Sequence, residues 1–380
     1  MRDTYTVASP EAGELLKSLE AKQDMDSRRM KRYLSMPDLS RTAGSPIYEI
    51  VQRILSQQDF KNFDIVKSPE IVPTDVSFDL YGFPADHPAR SRSDTYFINE
   101  KNLLRTHTTV MWYYYLQQPE IKKRMEKGKA LGFFSFGKVY RKDEIDRNHM
   151  NVFHQMDGGF LIPKDKKVIT VDDLKKVLAD IAKAVFGPTI KYRFNKDTFP
   201  YTDPSLEMEV EINGRWIEVL GCGIMTDNLM RNLGINPEKW SNWAFGFGLE
   251  RLAIISMDLP DIRLLWSEDP RVKKQLKLGQ KFVEVSKYPP IVRDISFVVK
   301  KDFIPNDYFD FVRELAPGIV EQVELLDKYE NAEKFGAGKI SYAYRITYRS
   351  IERTLTSSEI DKIHKKLEAE TNKIFSATVR

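Results

Sequence analysis

The sequence predicts an α+β protein made of two folded domains. Its length of 380 residues exceeds that of one typical domain, a lysine-rich segment over residues 271–281 divides it, and each side contains both strand and helix patterns. We expect a large domain over residues 46–270, a linker over 271–285 and a small domain over 286–380. Residues 1–45 are expected to form a helical extension that packs lightly, because its apolar positions are sparse.

Helices of the large domain are indicated by apolar periodicity and by their ends. A first helix is predicted from Ile47, where apolar residues recur on one helical face. The clearest helix spans residues 170–186, because Thr170 and Asp173 form a capping box and Gly187 ends the pattern. Both helices supply an apolar stripe to a core.

Residues 206–220 predict a β-hairpin that turns at Asn213 and Gly214. A two-residue turn places Glu209 directly opposite Glu218, and like charges in that arrangement are unfavourable. Two interpretations stand at this point: both side chains are solvated, or a cation lies between them. Glu207 on the same face adds weight to the second interpretation.

The small domain reads as strand, helix, strand, strand, helix, which predicts a small α+β sandwich. Alternation marks strands over residues 294–300 and 339–350, and a helix begins after Thr356. The numbers of basic and acidic residues in this domain are nearly equal, so its net charge does not indicate RNA binding. Arg345 and Arg349 lie on the polar face of the long strand, where they either contact phosphate or form a solvated edge.

Composition limits the partners and the compartment. Lys+Arg number 59 and Asp+Glu 55, a net charge of +4 that permits an anionic partner without requiring one. Cys222, the single cysteine, excludes an internal disulfide, and no apolar run is long enough to predict a membrane span. The acid-containing N-terminus is unlike a transit peptide. We therefore expect a cytoplasmic protein, with the mitochondrial matrix after removal of a presequence as the alternative.

Two arginines in characteristic surroundings point to chemistry on phosphates. Arg141 ends a strand, and an arginine there can clamp a phosphate with two donors. About 110 residues later, Gly246 and Gly248 form a turn that leads into an apolar helix, with Arg251 in its first turn. The turn has neither the third glycine of a dinucleotide fingerprint nor the lysine of a P-loop.

These two stretches resemble the second and third signature motifs of class II aminoacyl-tRNA synthetases, and the detail resembles phenylalanyl-tRNA synthetase. Further stretches match that family in order and spacing: Phe83 to Arg90, Leu104 to Thr109, Arg141 to Gly158, Phe199 to Ser205, Glu218 to Gly223 and Ala244 to Arg251. Tyr288 to Asp294 and Arg353 to Thr356 resemble the family's ferredoxin-like anticodon-binding domain. Having both on one chain is similar to the single-chain, mitochondrial-type form.

The resemblance implies a class II antiparallel sheet flanked by helices and a ligase that uses ATP, Mg²⁺, L-phenylalanine and tRNA(Phe). Arg141 and Arg251 would be the catalytic residues, holding the α-phosphate and the γ-phosphate. The implied ATP-binding residues are Arg141, Glu218, Gly246, Gly248 and Arg251. The implied amino-acid-binding residues are His107, Thr109, Gln155, Asp157, Phe199, Tyr201 and Ala244. The implied magnesium ligands are Glu218, Glu209 and Glu207.

Two departures from the family pattern and two alternative functions accompany this interpretation. Asp157 stands where the family usually has Glu, and Tyr201 stands where it usually has Phe. The alternatives are a catalytically inactive paralogue that serves as an RNA-binding module, and a class II relative that activates another amino acid. The resemblance to the single-chain form implies a monomer whose C-terminal domain moves about a hinge at 271–285 when tRNA binds.

Overall fold

The computed structural model of the chain describes residues 2–9, 11–284 and 288–380. It divides into an N-terminal unit (Met1–Arg141, Val152–Asp258 and Lys277–Lys281) and a C-terminal unit (Lys142–Asn151, Leu259–Leu276 and Phe282–Arg380). Residue 285 of the expected linker and residues 286 and 287 of the expected small domain lie outside the described residues. The architecture is α+β, as predicted.

The elements of the N-terminal unit follow one another in a mixed order of helices and strands. They are β1 (Thr4–Thr6), α1 (Ala12–Ala21), α2 (Met25–Ser35), α3 (Pro46–Leu55), β2 (Asp64–Lys67), β3 (Ile71–Pro73), α4 (Thr74–Ser77), β4 (Asn102–Leu104), α5 (Met111–Leu116), α6 (Pro119–Glu126), β5 (Leu131–Tyr140), β6 (Val152–Pro163), α7 (Val171–Phe186), β7 (Tyr192–Phe199), β8 (Thr202–Ile212), β9 (Arg215–Met225), α8 (Asp227–Asn232), β10 (Trp240–Gly248) and α9 (Leu249–Met257).

An eight-stranded sheet organises this unit, in the order β1-β2-β5-β6-β10-β9-β8-β7. The pairs β1·β2 and β2·β5 are parallel, and every pair from β5 to β7 is antiparallel. Helices α3, α7 and α9 contact one another and pack against this sheet. The antiparallel part of the sheet, from β5 to β7, carries the candidate site.

The N-terminal segment packs firmly, so the prediction of a lightly packed extension was wrong. Strand β1 joins the sheet beside β2, and the helical extension consists of two helices, the second of which is capped at its start by Asp24. Leu19 and Met30 are buried in a cluster with Tyr140. The low number of apolar residues in this segment gave no indication that some of them are deeply buried.

The predicted helix and hairpin of this unit are confirmed. Thr170 caps α7 and forms the capping box with Asp173. Strands β8 and β9 meet at Asn213 and Gly214, whose φ angles of 52° and 76° suit a tight hairpin turn. Glu209 lies directly opposite Glu218, as the turn length predicted.

The C-terminal unit contains α10 (Pro270–Lys273), β11 (Ile291–Lys300), α11 (Pro305–Leu315), β12 (Val320–Tyr329), α12 (Ala332–Phe335), β13 (Lys339–Tyr348), α13 (Ser357–Ile374) and β14 (Thr378–Val379). Its four strands form an antiparallel sheet in the order β12-β13-β11-β14. Ile346 and Tyr348 of β13 are buried on the face that the alternation predicted. The small α+β sandwich is confirmed.

The segment that follows Arg141 belongs to the C-terminal unit. The Lys142 ammonium lies 2.6 Å from an Asp307 carboxylate oxygen, and the Asn151 amide donates to Asp310 at 2.8 Å. Arg147 forms an ion pair with the buried Glu321 at 2.8 Å. Arg141 is therefore the last residue of the N-terminal unit before the chain passes into the other unit.

Candidate active site

Strand β10 separates small from large side chains onto opposite faces of the large sheet. Phe245 and Phe247 are buried on one face, whereas Ala244, Gly246 and Gly248 alternate with them and are only partly covered. A strand in the middle of a sheet that carries almost no side chains on one face leaves space above its backbone. We call the face of the sheet that bears Ala244, Gly246 and Gly248 the site face.

The register across the sheet brings the predicted residues onto this face. Asp157 pairs with Gly246, Gly246 pairs with Gly221, and Gly221 pairs with Glu207, so these four residues form one row across β6, β10, β9 and β8. In the adjoining row, Gln155 pairs with Gly248. Residues directly opposite in an antiparallel pair share a face. The site face therefore runs from a carboxylate through glycines to a second acidic group.

Asp157 is a buried carboxylate held by two threonines. The hydroxyl of Thr108 donates to one carboxylate oxygen at 2.8 Å, and that of Thr109 donates to the other at 2.5 Å. Burial raises the pKa of Asp157 to about 6, although these hydrogen bonds and the charge of Arg141 act in the opposite direction. Thr109 was predicted at the site and Thr108 was missed.

His107 and Gln155 present buried polar atoms without protein partners. The ring Nε2 of His107 lies 3.0 Å from the Ser77 carbonyl oxygen, and burial lowers the pKa of His107 to about 4, so the ring is neutral. Its Nδ1 and the Gln155 amide oxygen have no hydrogen-bond partner among the described residues. Buried polar atoms of this kind require an explanation, and a polar ligand supplies one.

Aromatic rings form a wall beside the site face. The rings of Phe199 and Tyr201 lie parallel, with centroids 5.9 Å apart and an interplanar angle of 9°. A Cβ atom added to Gly221 would lie 2.7 Å from the Phe199 ring, so this ring rests directly on the glycine. Burial raises the pKa of Tyr201 to about 12, which keeps its hydroxyl protonated.

Arg141 is oriented by the backbone and by an aromatic ring. Its Nε donates to the Thr106 carbonyl oxygen at 2.9 Å, and its guanidinium carbon lies 5.2 Å from the centre of the Phe153 ring. The buried Arg105 supports this arrangement, because its guanidinium donates to the carbonyl oxygens of Lys138 and Ser68 at 2.8 Å each. Arg105 was missed, since nothing in the sequence distinguishes it from an arginine on a strand surface.

Arg251 projects from the first turn of α9, which begins directly after β10 ends at Gly248. Its side chain is exposed, and the structure gives it no hydrogen bond or ion pair with residues 2–9, 11–284 or 288–380. The preceding residue, Glu250, is buried and bonds to His154 on β6. An exposed cation on a rigid helix can meet an anionic ligand.

The three glutamates proposed for magnesium do not come together as one ligand group. Arg193 on β7 contacts Glu209 at 2.5 Å, and Asn195 bridges Glu209 and Glu207 at 2.8 and 3.0 Å. Within the described part of the chain, no group of three or more His, Cys, Asp or Glu residues is placed to hold a metal ion. Arg193 and Asn195 both lie on β7, and the sequence analysis of the β8–β9 hairpin did not include them.

The two arginines proposed for RNA in the C-terminal unit are engaged with carboxylates. Arg345 binds both oxygens of Asp294, at 2.9 and 2.8 Å. Arg349 lies 2.6 Å from the buried Glu321. Both arginines therefore already neutralise an acidic group of the same unit.

Comparison with known proteins identifies relatives over most of the chain. Residues 33–276 match the family model described as tRNA synthetases class II core domain (F), and residues 286–380 match the ferredoxin-fold anticodon binding domain. The chain is 39% identical over 321 residues to the phenylalanine–tRNA ligase, chloroplastic/mitochondrial, of Arabidopsis thaliana, covering 82% of this chain and 71% of that protein.

Animal and fungal relatives give the same result. The mitochondrial phenylalanine–tRNA ligase of Mus musculus is 37% identical over 333 residues, covering 78% of this chain and 70% of the relative. That of Saccharomyces cerevisiae is 32% identical over 412 residues, covering 87% of this chain and 86% of the relative.

Among the described residues, no helix is long and apolar enough to cross a membrane.

Proposed function

Because this chain belongs to the phenylalanine–tRNA ligases of class II, we propose that the residues of its site face carry both steps of that reaction. The chain is a phenylalanine–tRNA ligase, and its class II core implies the use of ATP. The observation that supports the assignment of residues most strongly is the row Asp157–Gly246–Gly221–Glu207. A buried carboxylate and an open glycine surface lie there on one face of one rigid sheet.

Asp157 is proposed to bind the ammonium group of phenylalanine. A carboxylate already aligned by two threonine hydroxyls needs little rearrangement to accept a cation. Gln155 and His107 would use their unpartnered atoms on the polar groups of the amino acid. Phe199 and Tyr201 would contact the aromatic ring.

Ala244 is proposed to lie at the end of the ring pocket. Its position on β10 is one row beyond Gly246, on the same face, and its neighbour across the sheet is Gly159. A Cβ atom on Gly159 would lie 2.3 Å from the Trp112 ring, so the indole covers this end of the site face. The small methyl group of Ala244 would set the length of ring that fits.

Arg141 and Arg251 are proposed to bind the phosphates of ATP. In the first step, a carboxylate oxygen of phenylalanine attacks the α-phosphorus, and the bond to pyrophosphate breaks. In the second step, the 2′-hydroxyl of the terminal adenosine of tRNA attacks the acyl carbon, loses its proton, and AMP leaves. These steps need alignment and charge neutralisation rather than a protein nucleophile, and the two guanidinium groups, of which that of Arg141 is held by the Thr106 carbonyl oxygen, would supply both.

Mg²⁺ is proposed as an ion shared between the nucleotide and at most one or two carboxylates. Magnesium in nucleotide sites usually has few protein ligands and is completed by phosphates and water. Glu218 fits this role because it is exposed and lies opposite Glu209, so two like charges face each other. The bound ion would neutralise phosphate charge. Glu207 and Glu209 are weaker candidates, since Asn195 bridges them.

The remaining assignments concern partners and place of action. We propose tRNA(Phe) as the RNA substrate, bound in part by the C-terminal unit, which matches an anticodon-binding family model. A monomer is proposed because both family models match one chain, and sedimentation at the mass of a dimer would contradict it. The names of the relatives include the word mitochondrial, which supports the mitochondrial alternative over the cytoplasmic expectation.

Amino-acid-dependent exchange of pyrophosphate into ATP tests the proposed roles. The full-length protein is assayed with phenylalanine, tyrosine and leucine, beside R141Q and R251Q. We expect exchange with phenylalanine far above the other two, and a loss of at least about a hundredfold in each variant, as for removal of a positioned donor to developing charge. Wild-type activity in either folded variant would refute the role of that arginine.

A further inference from the structure

The outer face of helix α13 carries a stripe of unpaired lysines. Lys362, Lys365, Lys366 and Lys373 are all exposed, and we call them the α13 lysine stripe. Their side chains form no ion pair or hydrogen bond with the described residues, which include the whole of α13. The opposite face of the helix is buried, with Ile360, His364, Leu367 and Thr371 in the interior.

The stripe results from segregation of charge, not from an excess of it. Helix α13 has four lysines and four acidic residues, so it is neutral overall. At 100° per residue, the four lysines fall within about 100° around the axis, and Glu359, Asp361, Glu368 and Glu370 all lie outside this sector. The net charge of α13 is therefore zero although its lysines lie on one side of the helix.

Two of the four acidic residues of α13 have arginine partners. Glu359 forms an ion pair with Arg353, and Asp361 accepts from Arg293 at 2.9 and 2.7 Å. Glu368 lies 3.9 Å from the ring of His364. Because two of these four carboxylates are neutralised by arginines, the acidic residues of α13 offset the positive potential of the lysines less than their number suggests.

The two arginines first considered for RNA, on the sheet of the same unit, are offset by carboxylates, whereas Lys300 and Lys339 lie opposite each other at the end of β11 and β13. Arg345 lies between Asp294 on β11 and Glu324 on β12, so this row across three strands carries two negative charges and one positive. Arg349 is paired with Glu321. The edge strand β12 also bears Asp327, and Glu330 and Glu333 follow it. The unit is therefore acidic toward β12 and basic on the outer face of α13.

We propose that the α13 lysine stripe binds the phosphate backbone of tRNA. This inference rests on the proposed function, because it is the match to an anticodon-binding domain that makes RNA the polyanion expected here. From Lys362 to Lys373 the stripe covers 12 residues, or about 16 Å along the helix axis, which is long enough to follow several successive phosphates. Lysine makes point contacts with phosphate, so the stripe supplies affinity and orientation without reading bases.

The dependence of tRNA binding on salt measures such contacts directly. Each lysine–phosphate contact contributes roughly 0.7 to 0.9 to the slope of log affinity against log salt concentration. The triple variant K362Q/K366Q/K373Q is therefore expected to lower this slope by about 2 to 3 and to weaken binding of tRNA(Phe) roughly tenfold or more near 0.1 M salt. Phenylalanine-dependent pyrophosphate exchange, which needs no tRNA, should be unchanged.

Two further variants make the result specific. K300Q/K334Q/K339Q removes the same charge from exposed lysines elsewhere in the unit and should leave the slope close to that of the wild type. K362R/K366R/K373R keeps the charge and should keep the slope. A tRNA(Phe) with an altered anticodon should lose the same factor in affinity on K362Q/K366Q/K373Q as the normal tRNA does, since backbone contacts are independent of sequence.

The outcomes separate this proposal from the proposed function. A wild-type slope in folded K362Q/K366Q/K373Q, or an equal loss in K300Q/K334Q/K339Q, would overturn the role of the stripe. Failure of the proposed function would appear differently, as absence of phenylalanine-dependent exchange or of tRNA binding in the wild-type chain. A lower slope in the stripe variant alone, with exchange intact, would establish the surface.

Discussion

His154 and Glu250 form a buried pair that connects the two halves of the active site. The Nδ1 atom of His154 lies 2.6 Å from a Glu250 carboxylate oxygen, and the backbone N–H of His154 donates to both oxygens, at 3.0 and 2.8 Å. The N–H of Leu39 donates to the Nε2 atom at 2.9 Å, so the ring hydrogen is on Nδ1 and points to Glu250. Gln155 follows His154 and Arg251 follows Glu250, so this pair connects the residue that we propose for the amino acid with the one that we propose for the phosphates.

E250Q is expected to reduce pyrophosphate exchange at saturating substrates by about tenfold or more. Glutamine offers only one oxygen, and its amide N–H₂ would face the N–H groups of His154, leaving a buried donor unsatisfied at a cost of about 1–3 kcal/mol. E49Q is the matched control, because Glu49 forms a partly exposed pair with Arg53 on α3. If folded E250Q kept wild-type kcat and KM and lost only thermal stability, the pair would have no positioning role.

Local sequence rules predicted the elements whose determinants are neighbours in the chain. The capping box of α7 depends on Thr170 and Asp173, and the opposition of Glu209 and Glu218 depends only on the length of the turn. Both could be counted directly from the sequence. Gly246 and Gly248 were instead predicted to form a turn, and this was wrong, because both lie in strand β10, where they alternate with Phe245 and Phe247.

Residues whose partners are distant in sequence were beyond such rules. Thr108 contacts Asp157 across 49 positions, and Glu250 contacts His154 across 96. The contact of Arg193 with Glu209 was missed for the same reason, because Arg193 lies on another strand. Resemblance to a family supplied the remaining site residues, and it carries no information on what supports them.

The elevated pKa of Asp157 predicts a pH dependence of phenylalanine binding. Below a pH of about 6 the buried carboxylate of the free enzyme is protonated and cannot pair with an ammonium group. We expect kcat/KM for phenylalanine in exchange to fall about tenfold per pH unit below that value and to be level above it. D157N should have low activity without this inflection, and a wild-type profile that is flat from pH 5 to 8 would contradict the assignment.

The ionised carboxylate of Asp157 is expected to lower the stability of the fold while it promotes the binding of phenylalanine. The folded-state pKa of Asp157 lies above its ordinary value of 3.8, so folding disfavours the ionised form and the penalty is fully present once the pH exceeds about 6. A shift of about two pKa units corresponds to roughly 3 kcal/mol. D157N is therefore expected to be more stable than the wild type at pH 7.5 while binding phenylalanine poorly. Denaturant unfolding at pH 7.5 and at pH 4 measures this, and the difference should shrink at pH 4.

G221A should impair binding of phenylalanine selectively. The added methyl group would lie 2.7 Å from the Phe199 ring, so this ring would have to leave its present position in the aromatic wall. We expect KM for phenylalanine to rise about tenfold, corresponding to about 1.4 kcal/mol, with little change in KM for ATP. Equal increases in both constants would place Gly221 outside the amino-acid pocket.

G248A provides the complementary test at the nucleotide end. A methyl group on Gly248 meets no protein atom within 4 Å, and the φ angle of −78° suits an alanine, so the fold should be unaffected. If ATP lies against the backbone at the end of β10, as the family resemblance implies for Gly248, the methyl group occupies space that the nucleotide needs. KM for ATP should then rise about tenfold while KM for phenylalanine changes little, the reverse of the result for G221A. Unchanged kinetics in G248A would move the nucleotide away from this part of the site face.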